Sequence, residues 1–533
     1  MKWRWGAMLI AVLLLLGIAG RFTNLAHKLY WHDEAYTTFR AAGYFASEIV
    51  ADAFQGTLIS PETLQSFQQL KPDSTFGDTL GSLAAEDPQH PPLYFLLARG
   101  WMLALGQGVV IARILPVLIS LLSLPLMFLW GRSLAGTAAA VWATVMIALS
   151  PFDILYAQTN RQYSLLTVWA IASHWRLVCA LQRPTGTNWG WYILVSTLGL
   201  YTHPLFAIIL ITQGIYILIA CWLNQRSPSA SGSTRIPKPQ ILPAIAALAT
   251  IGVLYTPWIW VMAQNRQTLQ LATGWIQQSI PPQVLVKQWI RNFGALWVDI
   301  DFDLTTLEVG WVGLGLKLMA LLVVPLALWT TWQRLPRTLA LYLNAIIWVP
   351  FLLLAVPDVL TGGVRSAIAR YVLPIMPGLQ LLIGIWLSQQ IRLDKPLWRV
   401  GLPLLLTGAI ASNVISLPPE TWWNKEPSFY VAAVAQQINQ FEHPLLVSDQ
   451  GPQYTNFGNL LSLSYRLDSA VSLLLNWQAT NISALADWPR DRPALAYEPS
   501  TDLAVALENQ GWQLVPIFAD VQPAGSALFE LKR

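Results

Sequence analysis

Charged side chains are scarce in this 533-residue chain. Asp, Glu, Lys and Arg make up 11%, less than half of the roughly 25% usual in soluble globular proteins. With 54% hydrophobic residues and a mean hydropathy of +0.46, that scarcity excludes an ordinary soluble fold and puts the chain among polytopic membrane proteins. The net charge of +4 is small and dispersed, which argues against nucleic acid as a partner. There are only two cysteines, Cys179 and Cys221, both inside apolar runs; they make neither a disulfide framework nor a zinc site. The chain also lacks a glycine-rich phosphate loop, the usual cradle for a nucleotide. Tryptophan, by contrast, is abundant at 27 residues, many of them flanking apolar runs where amphipathic rings favour the membrane interface.

Lys2 and Arg4 precede an apolar run from about Trp5 to Gly20. A cleaved signal peptide and a retained first helix both fit; the many later spans favour retention, and either way the N-terminus is inside. Residues 21–108 then read as a large first external loop, with Ser60-Pro61-Glu62 as a helix start. The stretch after His90 carries Arg99 and, at roughly 14 residues, is shorter than the approximately 20 that cross a bilayer. If it lies at the outer interface, spans follow at 109–130, 134–150, 164–182, 189–201, 204–223, 241–261, 309–331, 338–356, 371–389 and 399–417. The inside loops then hold Arg132, Arg183, Arg226 with Arg235 and Lys238, Arg334 with Arg337, and Arg392 with Lys395 and Arg399, so every short inside loop is basic, as the positive-inside rule asks. The predicted fold is a polytopic α-helical membrane protein with about eleven transmembrane helices. The membrane domain is expected over 1–417, followed by a small extracytoplasmic α/β domain over 418–533. In that domain strands are predicted at 444–448, 494–497, 513–518 and 527–531, and helices near 428–440 and 502–509. The segment Ser227 to Gln240, rich in Ser and Pro, reads as an inside linker.

This topology gathers Asp33, Glu34, His90, the stretch Tyr156 to Tyr163, His203, the 262–308 loop, Arg365 and Arg370 on the outer face. Ionisable groups at a membrane boundary are either solvated or functional. If the substrate is a lipid carrying a phosphate-linked sugar, transfer needs a base for the acceptor proton and cations for the departing phosphate. Asp33 or Glu34 can be the base, since interfacial carboxylates are ionised at neutral pH unless strongly desolvated. Arg365 and Arg370 can hold a phosphate through forked hydrogen bonds, and His90, before Pro91-Pro92, can add a donor.

Several segments carry a family resemblance: His32-Asp33-Glu34-Ala35-Tyr36; Glu86-Asp87-Pro88-Gln89-His90-Pro91-Pro92-Leu93-Tyr94; Ser150-Pro151-Phe152 followed by Tyr156-Ala157-Gln158-Thr159-Asn160-Arg161-Gln162-Tyr163; and Tyr201-Thr202-His203. Together they resemble the bacterial GT-C glycosyltransferases, in the branch of protein O-mannosyltransferases and lipid A aminoarabinose transferases. Arg370-Tyr371-Val372-Leu373-Pro374 is similar to that branch's Arg-Tyr-Leu-Leu-Pro signature. The resemblance covers the chain to about residue 417. It implies an integral membrane enzyme using a polyprenyl-phosphate sugar, with Asp33 as base and Glu34 as its neighbour. His90 matches a position where aminoarabinose transferases have a phosphate-contacting Lys, and Arg161 matches the Arg of a Gln-Glu-Ala-Arg-x-Tyr pattern. Thr159 stands where that pattern has Glu, which removes a second carboxylate role there.

The expected reaction is therefore sugar transfer with inversion from a polyprenyl-phosphate donor to an extracytoplasmic lipid, glycan or protein. Asp33 and Glu34 are the catalytic candidates, and His90, Arg161, Arg365 and Arg370 the donor-phosphate ligands. Glu86, Asp87, Tyr163, His203 and Tyr371 are candidate acceptor or sugar contacts. The inner membrane is the expected location. No cofactor is required beyond the donor lipid, and divalent metal is left open; Asp299, Asp301 and Asp303 alternate in a loop but lack the glycine turn and terminal Glu of a calcium loop. Plainer readings stand beside these: Asp33 and Glu34 as a helix cap, Glu86 and Asp87 as capping or solvated residues, the arginines as headgroup anchors, and His203 as a span-end residue. The rival function is a transporter or flippase for a polyprenyl-linked lipid. Such proteins usually place charge at mid-membrane in repeated halves, a pattern this sequence does not show.

Overall fold

The computed structural model describes residues 2–226, 241–300, 310–393, 396–451, 456–477, 482–519 and 527–533. The expected linker Ser227 to Gln240, together with Asp301 and Asp303, lies outside the described residues. The chain forms two compact units, one of Met1–Thr23, Asp87–Tyr94 and Arg113–Pro418, the other of Asn24–Glu86, Phe95–Ala112 and Pro419–Arg533.

The first unit is helical. Among the described residues seven helices are long and apolar enough to cross a membrane, or eight if the bent pair Thr137–Leu149 and Pro151–Ala157 is one span. The other expected spans correspond to shorter elements: the apolar stretch Gly6–Phe22 and the 17-residue helices Gly186–Thr202 and Met376–Arg392. The bent pair shows how this unit satisfies its backbone. Pro151 has no N–H to continue the helix, so the chain turns by 58°, and Ser150 Oγ caps the new helix by accepting Asp153 N–H at 3.2 Å. The carbonyls left over at the break find side chains. The fully buried Arg21 guanidinium donates to Ala148 O at 2.6 Å and Ile147 O at 2.9 Å, and Asn413 Nδ2 donates to Leu149 O at 2.9 Å. In a bilayer core, where water cannot serve, such replacement partners are obligatory.

The second unit is built on a six-stranded sheet. In chain order the strands are β1 (Gln55–Ile59), β2 (Leu445–Ser448), β3 (Ser472–Asn476), β4 (Ala494–Tyr497), β5 (Gln513–Ala519) and β6 (Ala527–Lys532), arranged β1-β3-β2-β4-β6-β5. The three central strands β3, β2 and β4 are parallel; β1, β6 and β5 pair antiparallel. Alternation along the strands gives two apolar faces. Leu446, Leu473, Leu475, Leu495, Tyr497 and Leu528 join Ala35, Phe39, Val434, Phe457 and Leu460 in one core. Leu445, Val447, Leu474, Ala494, Ala496 and Leu531 join Leu485, Leu503 and Leu507 in the other. The helix His32–Ala42, which bears the acidic pair, is therefore seated on the first face.

Four of the six strands coincide with the predicted ones. β3 and β1 were not expected: Ser472-Leu473-Leu474-Leu475 is buried on both faces and lacks alternation, while β1 is a partly exposed edge strand. The first loop was assigned to the membrane domain, yet residues 24–86 cluster with the C-terminal residues because β1 pairs with β3 through Leu58 and Ile59. The 13-residue helix Leu93–Leu105 matches the short stretch predicted after His90; at about 1.5 Å per residue it is too short to cross a bilayer.

In the membrane unit the helices Thr137–Leu149 and Met376–Arg392 meet at Gly384, where a Cβ would lie 2.4 Å from Ala143 N and 2.6 Å from its Cα. Because the obstruction is backbone, the helices would have to separate. Gly384→Val is expected to destabilise the protein by about 1–3 kcal/mol, read as a melting transition several degrees lower in detergent. An unchanged transition would contradict this close approach.

Candidate active site

Helix His32–Ala42 opens with the acidic pair in its first turn, where unsatisfied N–H groups and the helix dipole favour carboxylates. The two carboxylates differ in surroundings. Glu34 is fully buried; its Oε2 accepts the Trp31 N–H at 3.4 Å and the Lys425 ammonium at 3.3 Å. Asp33 retains 9% exposure. Farther along this helix Arg40 forms an ion pair with Glu86, whose carboxylate also accepts Ala46 N–H at 2.7 Å, Ser47 N–H at 3.2 Å and Ser47 Oγ at 2.7 Å. Burial alone would raise the Glu86 pKa; Arg40 and these hydrogen bonds outweigh it and hold the carboxyl below its ordinary value. Glu86 thus caps the helix Ala46–Ala53, as the plainer reading of it expected.

In the membrane unit, imidazoles and guanidinium groups gather. His90 N–H donates to Asp87 O at 2.9 Å and Trp258 Nε1 donates to Pro88 O at 3.1 Å, which fixes the turn carrying His90. The Asp87 carboxylate accepts a hydrogen bond from Gln89. Arg161 Nη2 lies 3.1 Å from His90 Nε2, and the Gln162 side-chain amide 3.1 Å from His90 Nδ1. A guanidinium can only donate, so Nε2 is the acceptor and the neutral ring carries its proton on Nδ1. The atom placed at Nδ1 is Gln162 Nε2, also a donor, so the amide must turn over for its oxygen to accept the Nδ1 proton. Tyr94 OH donates to Asn160 Oδ1 at 2.9 Å, tying the His90 segment to the Arg161 turn. Tyr163 is buried, edge-on to Tyr156 at 5.1 Å between ring centroids.

His203 faces the same group, its ring 6.3 Å from that of His90 between centroids. Leu205 N–H donates to its Nδ1 at 3.1 Å, which puts the proton on Nε2 and presents that N–H as a donor. Burial first, then the neighbouring His90, Arg161 and Arg370, hold the His203 pKa well below 6.5. Its electrostatic neighbours therefore bring together four of the residues singled out from sequence.

Arg370 and Arg365 lie on one short segment with different surroundings. The helix Arg337–Thr361 ends at Gly362 and Gly363, with φ of 79° and 142°, values that side chains other than glycine rarely adopt. Arg365 Nη1 pairs with Asp358 Oδ1 at 3.0 Å, and Asp358 Oδ2 accepts Ser366 N–H at 2.6 Å and Ser366 Oγ at 2.7 Å. The segment is pinned from outside: Val364 N–H donates to Ile276 O at 3.0 Å, Trp289 Nε1 to Ser366 Oγ at 3.0 Å, and Asn292 Nδ2 to Ala367 O at 2.6 Å. Arg370 lies over the Trp275 ring at 5.4 Å, and Tyr371 stands 6.2 Å from Trp275. An aromatic face orients a guanidinium by cation–π attraction, and the Arg365 charge is opposed by Asp358.

Comparisons with known proteins bear on this arrangement. Residues 89–236 match the family model of dolichyl-phosphate-mannose-protein mannosyltransferases; that segment contains His90, Arg161 and His203. No curated protein matches the chain. Among solved structures, ArnT from Cupriavidus metallidurans bound to undecaprenyl phosphate is 13% identical with a TM-score of 0.52, covering 99% of this chain and 98% of that one. Its apo form is 14% identical with the same TM-score and coverage. The oligosaccharyltransferase of Archaeoglobus fulgidus in its apo form is 12% identical, with a TM-score of 0.46 and coverage of 99% and 74%. The chain shares the fold of the ArnT structure along nearly its whole length.

Three neighbours of the candidate residues escaped the sequence reading: Gln162 beside His90 and Trp275 beneath Arg370 in the first unit, and Lys425 beside Glu34 in the second. Gln162 stood inside a recognised motif, so its position was visible though its contact with His90 was not. Trp275 and Lys425 carry no local signal, because their partners are remote in sequence. Among the described residues no group of three His, Cys, Asp or Glu stands where it could hold a metal ion; Asp299 is paired with Lys317 at 3.2 Å.

The depressed His203 pKa has a measurable sign. The unfolded chain takes up a proton near the ordinary histidine value while folded His203 stays neutral, so its contribution to stability is complete above about pH 6.5 and is lost as pH falls below that. Nitrogen NMR of histidine-labelled protein should show His203 as the neutral Nε2–H tautomer at pH 6. A charged imidazolium there would contradict the assignment.

Proposed function

We propose that the protein transfers a sugar from a polyprenyl-phosphate donor to an extracytoplasmic acceptor, with inversion at the anomeric carbon. The observation that carries this reading is the grouping of Arg161, His90, His203 and Arg370, two guanidinium groups and two imidazoles suited to an anionic phosphate. The fold shared with ArnT, which was solved with undecaprenyl phosphate, supports the choice of donor.

In this reading the acceptor hydroxyl attacks the anomeric carbon while Asp33 takes its proton. A new glycosidic bond forms as the sugar–phosphate C–O bond breaks, and the bonding pair leaves on the polyprenyl phosphate. A single displacement inverts the configuration. Arg161 and Arg370 stabilise the charge that grows on the departing phosphate, and His203 Nε2–H donates a hydrogen bond to the same group. His90 positions Arg161 through its Nε2. Arg365, paired with Asp358, acts as a weaker phosphate contact that also holds the segment carrying Arg370. Asp33 is assigned as base from its motif and its residual exposure, and Glu34 orients it. Tyr163, Asp87 and Tyr371 remain the proposed surroundings of sugar or acceptor. The membrane is taken as the inner membrane, with the acidic motif and residues 418–533 on its extracytoplasmic side.

The test is transfer of tritiated sugar in membranes from undecaprenyl-phosphate-linked mannose, glucose and aminoarabinose. Wild type should transfer from at least one donor, and Asp33→Asn should lose transfer by about a hundredfold or more, the lower range of general-base catalysis. Arg370→Ala should raise the donor KM about tenfold or more, the loss of one charge-assisted hydrogen bond. Transfer undiminished in Asp33→Asn would remove it as base, and no transfer by wild type from any donor would overturn the reading.

A further inference from the structure

The last 115 residues contain no residue of the phosphate-binding group, so their contribution to the reaction needs its own account. The connection that follows the last span supplies one. Its residues run along the start of the acidic motif: Leu29 N–H donates to Glu420 O at 2.7 Å, Lys28 Nζ to Pro419 O at 2.8 Å, and His32 N–H to Ser428 Oγ at 2.9 Å. Ser428 Oγ in turn donates to Asn459 Oδ1 at 2.8 Å, on the helix Asn456–Ser464. Arg466 donates to His27 O and lies 3.6 Å from Glu420. Against that same helix Gly458 leaves room for the His32 ring, where a Cβ would come within 2.3 Å of Nδ1. Backbone and side chains of residues 27–32 are thus splinted by residues 419–466.

At the centre of this splint is one buried ion pair. Lys425 is 4% exposed, Glu34 is fully buried, and their charged atoms are 3.3 Å apart. The ammonium also lies 5.9 Å from the centre of the Trp31 ring, and Trp31 is itself fully buried. A carboxylate buried this completely is tolerated when a cation compensates it, and removing the cation leaves an uncompensated charge in low dielectric. That charge would stand next to Asp33 in the same helical turn. It would either be relieved by movement of the turn or oppose a second negative charge on Asp33.

We infer that Lys425 is a positioning residue of the acidic motif: its ammonium compensates buried Glu34 and fixes the first turn of the helix that presents Asp33. Residues 419–466 thereby serve the reaction by holding the base. This rests on the proposed role of Asp33, but the splint itself does not.

The experiment uses full-length protein in nanodiscs and two readouts. Hydrogen–deuterium exchange of the peptide covering residues 31–42 should accelerate about tenfold in Lys425→Met, because a broken buried pair loosens its own element, while the global melting transition moves little. Lys425→Arg should keep wild-type exchange. In the transfer assay with undecaprenyl-phosphate-linked sugars, Lys425→Met should lower kcat about tenfold with donor KM unchanged within about twofold. In the exchange readout the swapped pair, Glu34→Lys with Lys425→Glu, should recover at least part of the protection that either single change loses. Unchanged exchange at residues 31–42 in Lys425→Met would overturn the inference, as would normal specific activity in whatever fraction of Lys425→Met folds. If Lys425→Met fails to accumulate, the same comparison is made on Glu34→Gln, which breaks the pair from its other side and must show the same local acceleration. If wild type transfers no sugar, the proposed function fails, and exchange alone decides the role of Lys425.

Discussion

A guanidinium held against a neutral imidazole is the contact on which the candidate site depends. Arg161 can donate to His90 only when Nε2 keeps its lone pair, which in a neutral ring puts the proton on Nδ1. His203 is kept neutral nearby by burial and by the same cations. Were either imidazole protonated, repulsion from Arg161 and Arg370 would oppose the gathering of these groups. Neutral rings let positive charge concentrate on two guanidinium groups, the side chains best shaped to grip phosphate in two-pronged fashion.

The remaining structure of the membrane unit holds those groups in place. The bend at Ser150-Pro151 gives up helical hydrogen bonds, and Arg21 and Asn413 replace them. Arg161 follows the bend by ten residues, after the short helix Pro151–Ala157, so the break and the candidate site are parts of one construction. Gly362 and Gly363 do the equivalent work for Arg370, allowing a turn whose carbonyls and hydroxyls are tied to the 276–292 segment.

Much of this was legible from the residues. Long apolar runs marked most of the helices, since crossing a bilayer imposes length and apolarity, and basic loops separated them. The motifs around His90, Arg161, His203 and Arg370 marked the candidate site, because polar residues at a span end are unusual enough to notice. The two carboxylates of the acidic motif could not be told apart in sequence: adjacency says nothing of which one is buried, and the cation that distinguishes them, Lys425, lies 391 residues away. The same limit hid Trp275 beneath Arg370. β3 was hidden by its uniform Leu run, and β1 by its position at a sheet edge, where one polar side is normal.

The central claim is that the Arg161–His90–His203–Arg370 group binds a polyprenyl phosphate. Phosphorus NMR of undecaprenyl phosphate titrated into nanodisc-embedded protein tests it without knowledge of sugar or acceptor. The account predicts a saturable shift of the phosphate resonance in wild type and in Asp33→Asn, strongly weakened in Arg161→Ala and Arg370→Ala. No saturable shift with wild type, or an undiminished one in both arginine variants, would contradict it.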